Sequence, residues 1–259
     1  MFKIRREKLN LYQIPTIMTR IILFFTVLAM TTQSCYYLGG KRVRGNGNIE
    51  TQERNVSAFN EVEVHGAMDV HVTQGDLKPV RIEGDENLMK YIEIKQEGNK
   101  IKIGPKPGYN LRPSAKLKVY VTSPAYSRLD VSGACNIFSD NKLSGSQPLE
   151  LEVSGAGDIK VDVDAPKVTA GISGSGSVQM TGETKDFDLR LSGAGKARCY
   201  DMKAENTKVD ISGAGSAEVY ASVNLDAEVS GAGSIKYKGN AGNVKQQVSG
   251  AGSVKKAED

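Results

Sequence analysis

The sequence is poor in the side chains that most often hold metal ions. Its 259 residues include 2 histidines and 3 cysteines. His65 falls at a predicted turn and His71 at an outward strand position, and no cysteine or carboxylate cluster at metal-ligand spacing accompanies them. No Ser–His–Asp arrangement, phosphate-binding loop or regular calcium repeat is present either. The sequence therefore predicts no metal, no cofactor and no catalytic residue, and it favours a protein that is not an enzyme.

Long hydrophobic runs are also missing. The prominent apolar stretch, Ile21 to Met30, covers ten residues, whereas a helix needs about 20 apolar residues to cross a bilayer. Several basic residues precede this stretch, so residues 1–34 are predicted to be a secretory signal peptide. Met18 is an alternative start, because residues 18–34 would form a complete signal by themselves.

The apolar stretch is followed by Thr32-Gln33-Ser34-Cys35, which resembles the lipobox of bacterial lipoproteins. Gln33 and the lack of a leucine at the third position before the cysteine depart from the common pattern. The resemblance predicts that Cys35 becomes the lipid-bearing N-terminus. The alternative is an ordinary cleaved signal followed by a chance cysteine. Residues 35–54, rich in glycine and asparagine near their middle, are predicted to be a lipid-anchored linker.

The net charge of the chain comes mainly from the predicted signal. The whole sequence has a formal charge of +4, and residues 1–34 contain five Lys or Arg against one Asp or Glu. The remaining chain is therefore formally neutral. Its composition gives no reason to expect nucleic acid as a partner.

Glycine is abundant, and much of it lies in a repeated tetrapeptide, Ser-Gly-Ala-Gly. Full copies or close variants begin at Ser132, Ser154, Ser173, Ser192, Ser212, Ser230 and Ser249. Successive copies start 18 to 22 residues apart, which is typical of a repeat architecture. Apolar and polar residues alternate on both sides of each copy, as in strands that bury one face. Ahead of Ser154, for example, the apolar residues are Leu149, Leu151 and Val153.

This pattern predicts an all-β fold, a parallel β-solenoid with coils of about 19 residues over residues 55–259. Each coil would contain a strand, a glycine corner, a second strand and a short return. Equivalent copies at one period favour stacked coils, about 4.8 Å apart, over hairpins. The alternative is an antiparallel meander or sandwich.

Before the repeats, the sequence predicts a first copy with His65 in the serine position, strands at 79–83, 100–103 and 116–122, and a helical turn at 87–92.

Three further segments stand ahead of the repeats: Phe59-Asn60-Glu61-Val62, Asp69 to Gly75 and Glu83 to Leu88. Together with the serial Ser-Gly-Ala-Gly units, they resemble the auto-transporter adhesin family with a head GIN domain, also called DUF2807. The resemblance covers about residues 55–255. It implies an exported bacterial protein with a β-helical fold, and it indicates the fold and the compartment more than the activity.

These features predict a non-enzymatic cell-envelope lipoprotein. A lipid on Cys35 would anchor it to the outer membrane, and the solenoid would present a rigid face to an envelope glycan, peptide or protein. One alternative is a polysaccharide-active β-helix enzyme, and another is a purely structural assembly element.

Carboxylates at equivalent positions of adjacent coils are the main signal for the enzyme alternative. Asp130 and Glu152 form one such pair, and Asp210 and Glu228 form another. Because Arg190 lies between the pairs, alternating charges that stabilise the stack are the simpler interpretation.

The end of the solenoid is a predicted edge for self-association. Val248 and Val254 fit the repeat template, and no capping segment follows them. An uncapped parallel edge offers unpaired backbone groups. The charged tail, residues 255–259, would limit association, so that its deletion would promote it.

Cys135 and Cys199 lie three coils apart, or roughly 14 Å at about 4.8 Å per coil. A disulfide needs Cα atoms within about 7 Å, so both are predicted to be free thiols. Cys199 takes an inward position and should be buried. Cys135 takes the fourth corner position and should be more open to reagents.

Overall fold

The structure, a computed structural model, describes residues 40–258. Its regular structure is nearly all β, with one 3-10 helix at Glu86–Tyr91. The strands are β1 (Lys41–Arg44), β2 (Ile49–Arg54), β3 (Glu61–Gly66), β4 (Asp69–Gln74), β5 (Val80–Asp85), β6 (Ile92–Glu97), β7 (Lys100–Pro105), β8 (Tyr109–Arg112), β9 (Lys118–Ser123), β10 (Arg128–Gly133), β11 (Asn136–Ser139), β12 (Leu143–Ser144), β13 (Leu149–Gly155), β14 (Asp158–Gly174), β15 (Ser177–Gly193), β16 (Lys196–Arg198), β17 (Met202–Gly213), β18 (Ser216–Tyr220), β19 (Asn224–Gly231), β20 (Ser234–Lys238), β21 (Asn243–Gly250) and β22 (Ser253–Lys256). Within residues 40–258, no helix is long and apolar enough to span a bilayer.

The chain forms a parallel β-solenoid of about 7 turns, as predicted. The tetrapeptide copies stack in register, so that Ser154 lies beside Ser173 and Ser173 beside Ser192. All strand pairings among β10 to β22 are parallel. This arrangement excludes the antiparallel meander for the repeat region.

Two sheets run along the solenoid, one on each side of the tetrapeptide corner. Sheet 1 enters the corner and contains β7, β3, β10, β13, the last parts of β14, β15 and β17, then β19 and β21. Sheet 2 leaves the corner and contains β9, β4, β11, the first parts of β14 and β15, then β16, β18, β20 and β22. The inward side chains of both sheets are mostly buried Val, Leu, Ile and Ala, and they form one continuous core.

The N-terminal coils do not stack in chain order. β3 lies between β7 and β10, although β7 follows β3 in the sequence. β6, β5 and β2 add antiparallel pairings to β7, β9 and β5 respectively. The predicted strands at 79–83, 100–103 and 116–122 correspond to β5, β7 and β9, and the helical turn corresponds to the 3-10 helix. β2 lies inside the predicted linker. Because it has no buried face, its sequence lacks the alternation of apolar and polar residues by which the other strands were predicted.

A buried carboxylate holds this N-terminal region together. Asp85 is fully buried. It accepts hydrogen bonds from the Ser114 hydroxyl at 2.6 Å, the Ser114 N–H at 2.8 Å and the Gly47 N–H at 2.7 Å. Burial opposes ionisation of Asp85, but these hydrogen bonds outweigh burial and lower its pKa. The carboxylate thereby ties residues 47 and 114 to the end of β5.

The two glycines of the tetrapeptide have different roles. The second position has positive φ throughout the stack, for instance +124° at Gly213 and +120° at Gly231, which only glycine adopts readily. The fourth position has no positive φ, but it faces inward and is buried. A Cβ at Gly233 would lie 2.6 Å from the Ile211 side chain and 3.0 Å from the Gly215 carbonyl of the preceding coil. In the coils from Ser154 onward, close stacking therefore leaves room only for a glycine at this position.

The prediction that Cys135 is open to reagents is wrong. The fourth corner position turns inward, so Cys135 is fully buried, as is its counterpart in the first copy, Met68. Cys199 is buried as predicted, and both residues are free cysteines. Burial raises the pKa of Cys135 to about 11 and the pKa of Cys199 to about 12.

The coils turn a second time between sheet 2 and the next strand of sheet 1. β14 continues through this bend as one strand of 17 residues. Both Ala165 and Val168 are buried there. Because they are three residues apart, the inward-facing positions change from odd to even residue numbers at the bend.

Asparagine side chains join later coils near the same bend. Asn206 donates to Asp186 at 2.8 Å, Asn224 donates to Asn206 at 2.6 Å, and Asn243 donates to Asn224 at 2.9 Å. Each bond links one coil to the preceding one, so the ladder fixes the register of the stack.

Candidate ligand-binding face

The outer face of sheet 1 presents a column of aligned polar side chains along the solenoid axis. Each member of the column lies two residues before a corner serine or, in the first copy, before His65. In stacking order its members are Glu63, Asp130, Glu152, Gly171, Arg190, Asp210, Glu228 and Gln247. The predicted neighbours, Asp130 with Glu152 and Asp210 with Glu228, do lie side by side.

Gly171 leaves a gap in this column, which we call the Gly171 cleft. The gap is part of a surface depression of about 500 Å³, which Glu152, Thr169, Ser173, Arg190 and Asp210 help to line. A Cβ at Gly171 would collide with the carboxylate of Glu152, which therefore lies over the glycine. Because Gly171 has no side chain, the Glu152 carboxylate occupies the space above it, and Arg190 lies on the next coil.

Two charged side chains of the cleft, Glu152 and Arg190, are not neutralised by side-chain pairing. Most of their neighbours are paired: Arg128 lies 2.6 Å from Glu150, Lys167 lies 2.6 Å from Asp188, and Lys208 lies 3.6 Å from Asp210. In contrast, neither Glu152 nor Arg190 forms an ion pair or side-chain hydrogen bond with any of residues 40–258.

The pKa of the Glu152 carboxyl is raised, chiefly because burial disfavours its charged form. The carboxylates of Glu150 and Asp130 add to this rise, while Arg128 and Arg190 oppose it. A partly desolvated carboxylate without a partner is common at binding sites. The cleft can offer an acceptor at Glu152 and up to five N–H donors at Arg190.

The two carboxylates at opposite ends of the cleft are too far apart to act as a glycosidase pair. Asp130 lies 3.4 Å from Arg128 on the far side of Glu152. The carboxylates that flank the cleft, Glu152 and Asp210, are three coil steps apart, or roughly 14 Å between backbones. Catalytic carboxyl pairs in inverting glycosidases are about 6.5–9.5 Å apart, and those of retaining enzymes are closer.

The two histidines lie apart from the cleft. His65 is near the Pro105 carbonyl, with Nε2 at 3.3 Å from its oxygen. His71 is on the outer face of sheet 2, where Nδ1 lies 2.8 Å from Asp140. Among residues 40–258, no group of three or more His, Cys, Asp or Glu side chains is arranged to hold a metal ion.

His71 is part of a ladder of stacked aromatic side chains on sheet 2, which the sequence analysis did not predict. The His71 ring stacks on Tyr120 at 5.0 Å and contacts Phe138 at 5.5 Å, and Arg81 lies 3.8 Å above the Tyr120 ring. These residues meet because β4 lies between β9 and β11. Because these rings and Arg81 are engaged with one another, stabilisation of the sheet accounts for the ladder. The Gly171 cleft is therefore the stronger candidate site.

The comparisons with known proteins identify the fold and the family. The family model "Putative auto-transporter adhesin, head GIN domain" matches residues 58–241. The chain belongs to this family. The match spans the first degenerate copy and nearly all the repeat coils, including the Gly171 cleft. No curated protein matches the sequence.

Solved structures of other bacterial proteins share this fold. A protein from Bacteroides fragilis described as a putative adhesin is 24% identical, with a TM-score of 0.79, and the alignment covers 83% of this chain and 100% of that one. A protein from Parabacteroides distasonis described as a putative lipid binding protein is 27% identical, with a TM-score of 0.69 and coverage of 84% and 100%. A putative adhesin from Parabacteroides merdae is 24% identical, with a TM-score of 0.67 and the same coverage. These similarities support the solenoid fold.

The predicted lipid site, Cys35, lies outside the described residues, as do the signal peptide and the start of the linker. The Gly171 cleft was not predicted from sequence. The signal for it was present, since Gly171 is the one position of the outward column in residues 130–228 without a side chain. Sequence alone did not show that its charged neighbours lack partners.

Proposed function

We propose that this head GIN protein is a non-enzymatic cell-envelope lipoprotein whose solenoid binds an envelope ligand at the Gly171 cleft. The observation that supports this most is the pair of opposite charges that line the cleft, Glu152 and Arg190, which have no side-chain partners in residues 40–258. The family description as an adhesin and the stiff, stacked coils agree with a role in presenting a binding face.

The chemistry of the cleft favours a ligand with several polar groups close together. The Glu152 carboxylate accepts hydrogen bonds, the Arg190 guanidinium donates them, and the Ser173 hydroxyl does both. Hydroxyl groups of a glycan meet all three requirements, and so do polar groups of a peptide or protein. One structural relative is described as lipid binding, and a lipid headgroup has comparable groups.

Binding to an array of glycans, peptides and envelope extracts, with phospholipid vesicles as a further arm, tests the proposal. We expect wild-type protein to bind at least one component, and Arg190→Gln to bind it at least tenfold more weakly. Arg198→Gln is the matched control, because Arg198 is an exposed arginine on the outer face of sheet 2. Equal binding by all three proteins would contradict the cleft as the site. Cleavage of a bound glycan would instead support the enzyme alternative.

The lipid anchor is tested separately. The resemblance of residues 32–35 to a lipobox supports lipidation of Cys35 and attachment to the outer membrane. We expect Cys35→Ala to remove the lipid, as measured by mass spectrometry, and to release the protein from the membrane fraction. An unlipidated Cys35 in wild-type protein, or a membrane fraction unchanged by the substitution, would contradict the anchor.

A further inference from the structure

β21 and β22 form the last coil that the structure describes. β21 and β22 pair with the preceding coil, and no described strand lies on their other side. Val244 and Val248 of β21 are 41% and 44% exposed, whereas their counterparts in the preceding coil, Leu225 and Val229, are 2% and 0% exposed. An unpaired strand with exposed apolar side chains is a template for another strand.

The two halves of this edge differ in charge. β22 contains Lys255 and Lys256, and Lys256 occupies the inward position aligned with Tyr237. Inward charges are a common device against strand addition. β21 has a single charged residue, Lys245, which points outward. The half of the edge that remains open to pairing is therefore β21.

The sequence of β21 is nearly symmetric about its centre. Its inward positions read Val244, Gln246 and Val248, and Gly242 and Gly250 lie four residues to either side of Gln246. We propose that β21 pairs antiparallel with β21 of a second copy, around a two-fold axis at Gln246. This register places Val244 opposite Val248 of the second copy, and Lys245 opposite Gln247, so no like charges meet.

A second copy suits this edge better than an open-ended filament. A filament would need a complementary edge at the other end of the solenoid, but β2 and β6 lie there and contain several charged residues: Glu50, Glu53, Arg54, Glu93, Lys95 and Glu97. A two-fold contact uses the same surface on both copies and closes after two. Backbone hydrogen bonds between the two β21 strands would supply affinity, as in other strand additions.

Disulfide trapping tests the register directly. Full chains with Cys35→Ser would carry either Asn243→Cys or Ser249→Cys, in a background where Cys135 and Cys199 are buried. In the proposed pair, residue 243 of one copy faces residue 249 of the other, with Cα atoms about 4.5–5.5 Å apart, within disulfide range. Two copies of residue 243 would be roughly 20 Å apart. We expect mild oxidation to give a disulfide-linked heterodimer in the mixture, and none with either variant alone.

Two additional variants distinguish cross-linking that depends on β21 pairing from non-specific cross-linking. Val248→Lys should abolish the cross-link, because it places a charge in the apolar contact, yet it should fold because Val248 is exposed in the single chain. Ile49→Lys, at an equally exposed position on β2, should leave the cross-link unchanged. Absence of a cross-link in the mixture, equal cross-linking by the separate variants, or cross-linking that survives Val248→Lys would each overturn the proposal.

Discussion

The carboxylate of Glu152 lies over the bare backbone of Gly171, one coil further along the solenoid. This relationship couples the repeat fold to the candidate site, because parallel stacking puts the two residues side by side and glycine leaves the space that the carboxylate enters. The same stacking puts Arg190 on the other side of the gap.

Glu152 should bind ligand at some expense to folding stability. A carboxyl whose pKa is raised in the folded state stabilises the protein in its protonated form, and this contribution disappears as pH rises through the folded pKa. We therefore expect Glu152→Gln to melt at or above the wild-type temperature at pH 7, with the difference shrinking at acidic pH. Thermal melts between pH 4 and pH 8 check this, and a lower melting temperature for the variant at pH 7 would contradict it.

Gly213 tests the geometry of the tetrapeptide corner. Its φ is +124°, and a Cβ there would lie 2.6 Å from the Gly193 carbonyl oxygen of the preceding coil. We expect Gly213→Val to reduce the free energy of unfolding by roughly 1–3 kcal/mol. Gly145→Val is the control, because Gly145 has no positive φ and space around it. Denaturant melts of the two variants should differ, and equal stability would refute the corner geometry.

Asp85 should make the N-terminal region sensitive to acid. Because its pKa is lowered in the folded state, its stabilising contribution is present above the unfolded pKa and is lost as pH falls through the folded pKa. Asp85→Ala leaves the Ser114 and Gly47 donors without their acceptor, which typically reduces stability by about 1–3 kcal/mol. Denaturant melts should show this loss at pH 7 and a smaller one at pH 3. Glu86→Ala, at an exposed neighbouring position, is the control.

The buried thiols give a direct chemical test of the core. With Cys35→Ser in the full chain, we expect no thiol to react with a water-soluble reagent in the folded state and two to react after denaturation without reductant. Burial and the raised pKa of Cys135 and Cys199 account for the folded result. Reaction of Cys135 in the folded protein would show that the fourth corner position is open. A single disulfide between the two would contradict the coil register.

The repeat made the solenoid predictable from sequence. A fixed period with inward alternation around residues such as Val153 and Ile172 admits few arrangements other than stacked coils. Residues without such a period were harder to place: β7 stacks against β3 rather than after it, and β2 has no buried face to reveal it. These pairings depend on contacts far apart in the chain.

The site was less predictable than the fold for a related physical reason. The column that contains Glu152, Gly171 and Arg190 followed from the repeat register. Whether each charge found a partner depends on side-chain geometry, which spacing does not determine. Likewise, Cys135 is buried because the fourth corner residue faces the core. The sequence did not show whether this position faces inward or outward, because it is mostly occupied by glycine.

Ligand affinity of a variant with a filled cleft tests the central claim most directly. In Gly171→Gln, the new side chain would displace the Glu152 carboxylate from the space above residue 171, while Gly145→Gln adds the same side chain outside the cleft. For the ligand found by the array, titration calorimetry should show at least a tenfold loss of affinity for Gly171→Gln and none for Gly145→Gln, with both proteins folded. An unchanged affinity for Gly171→Gln would contradict the account.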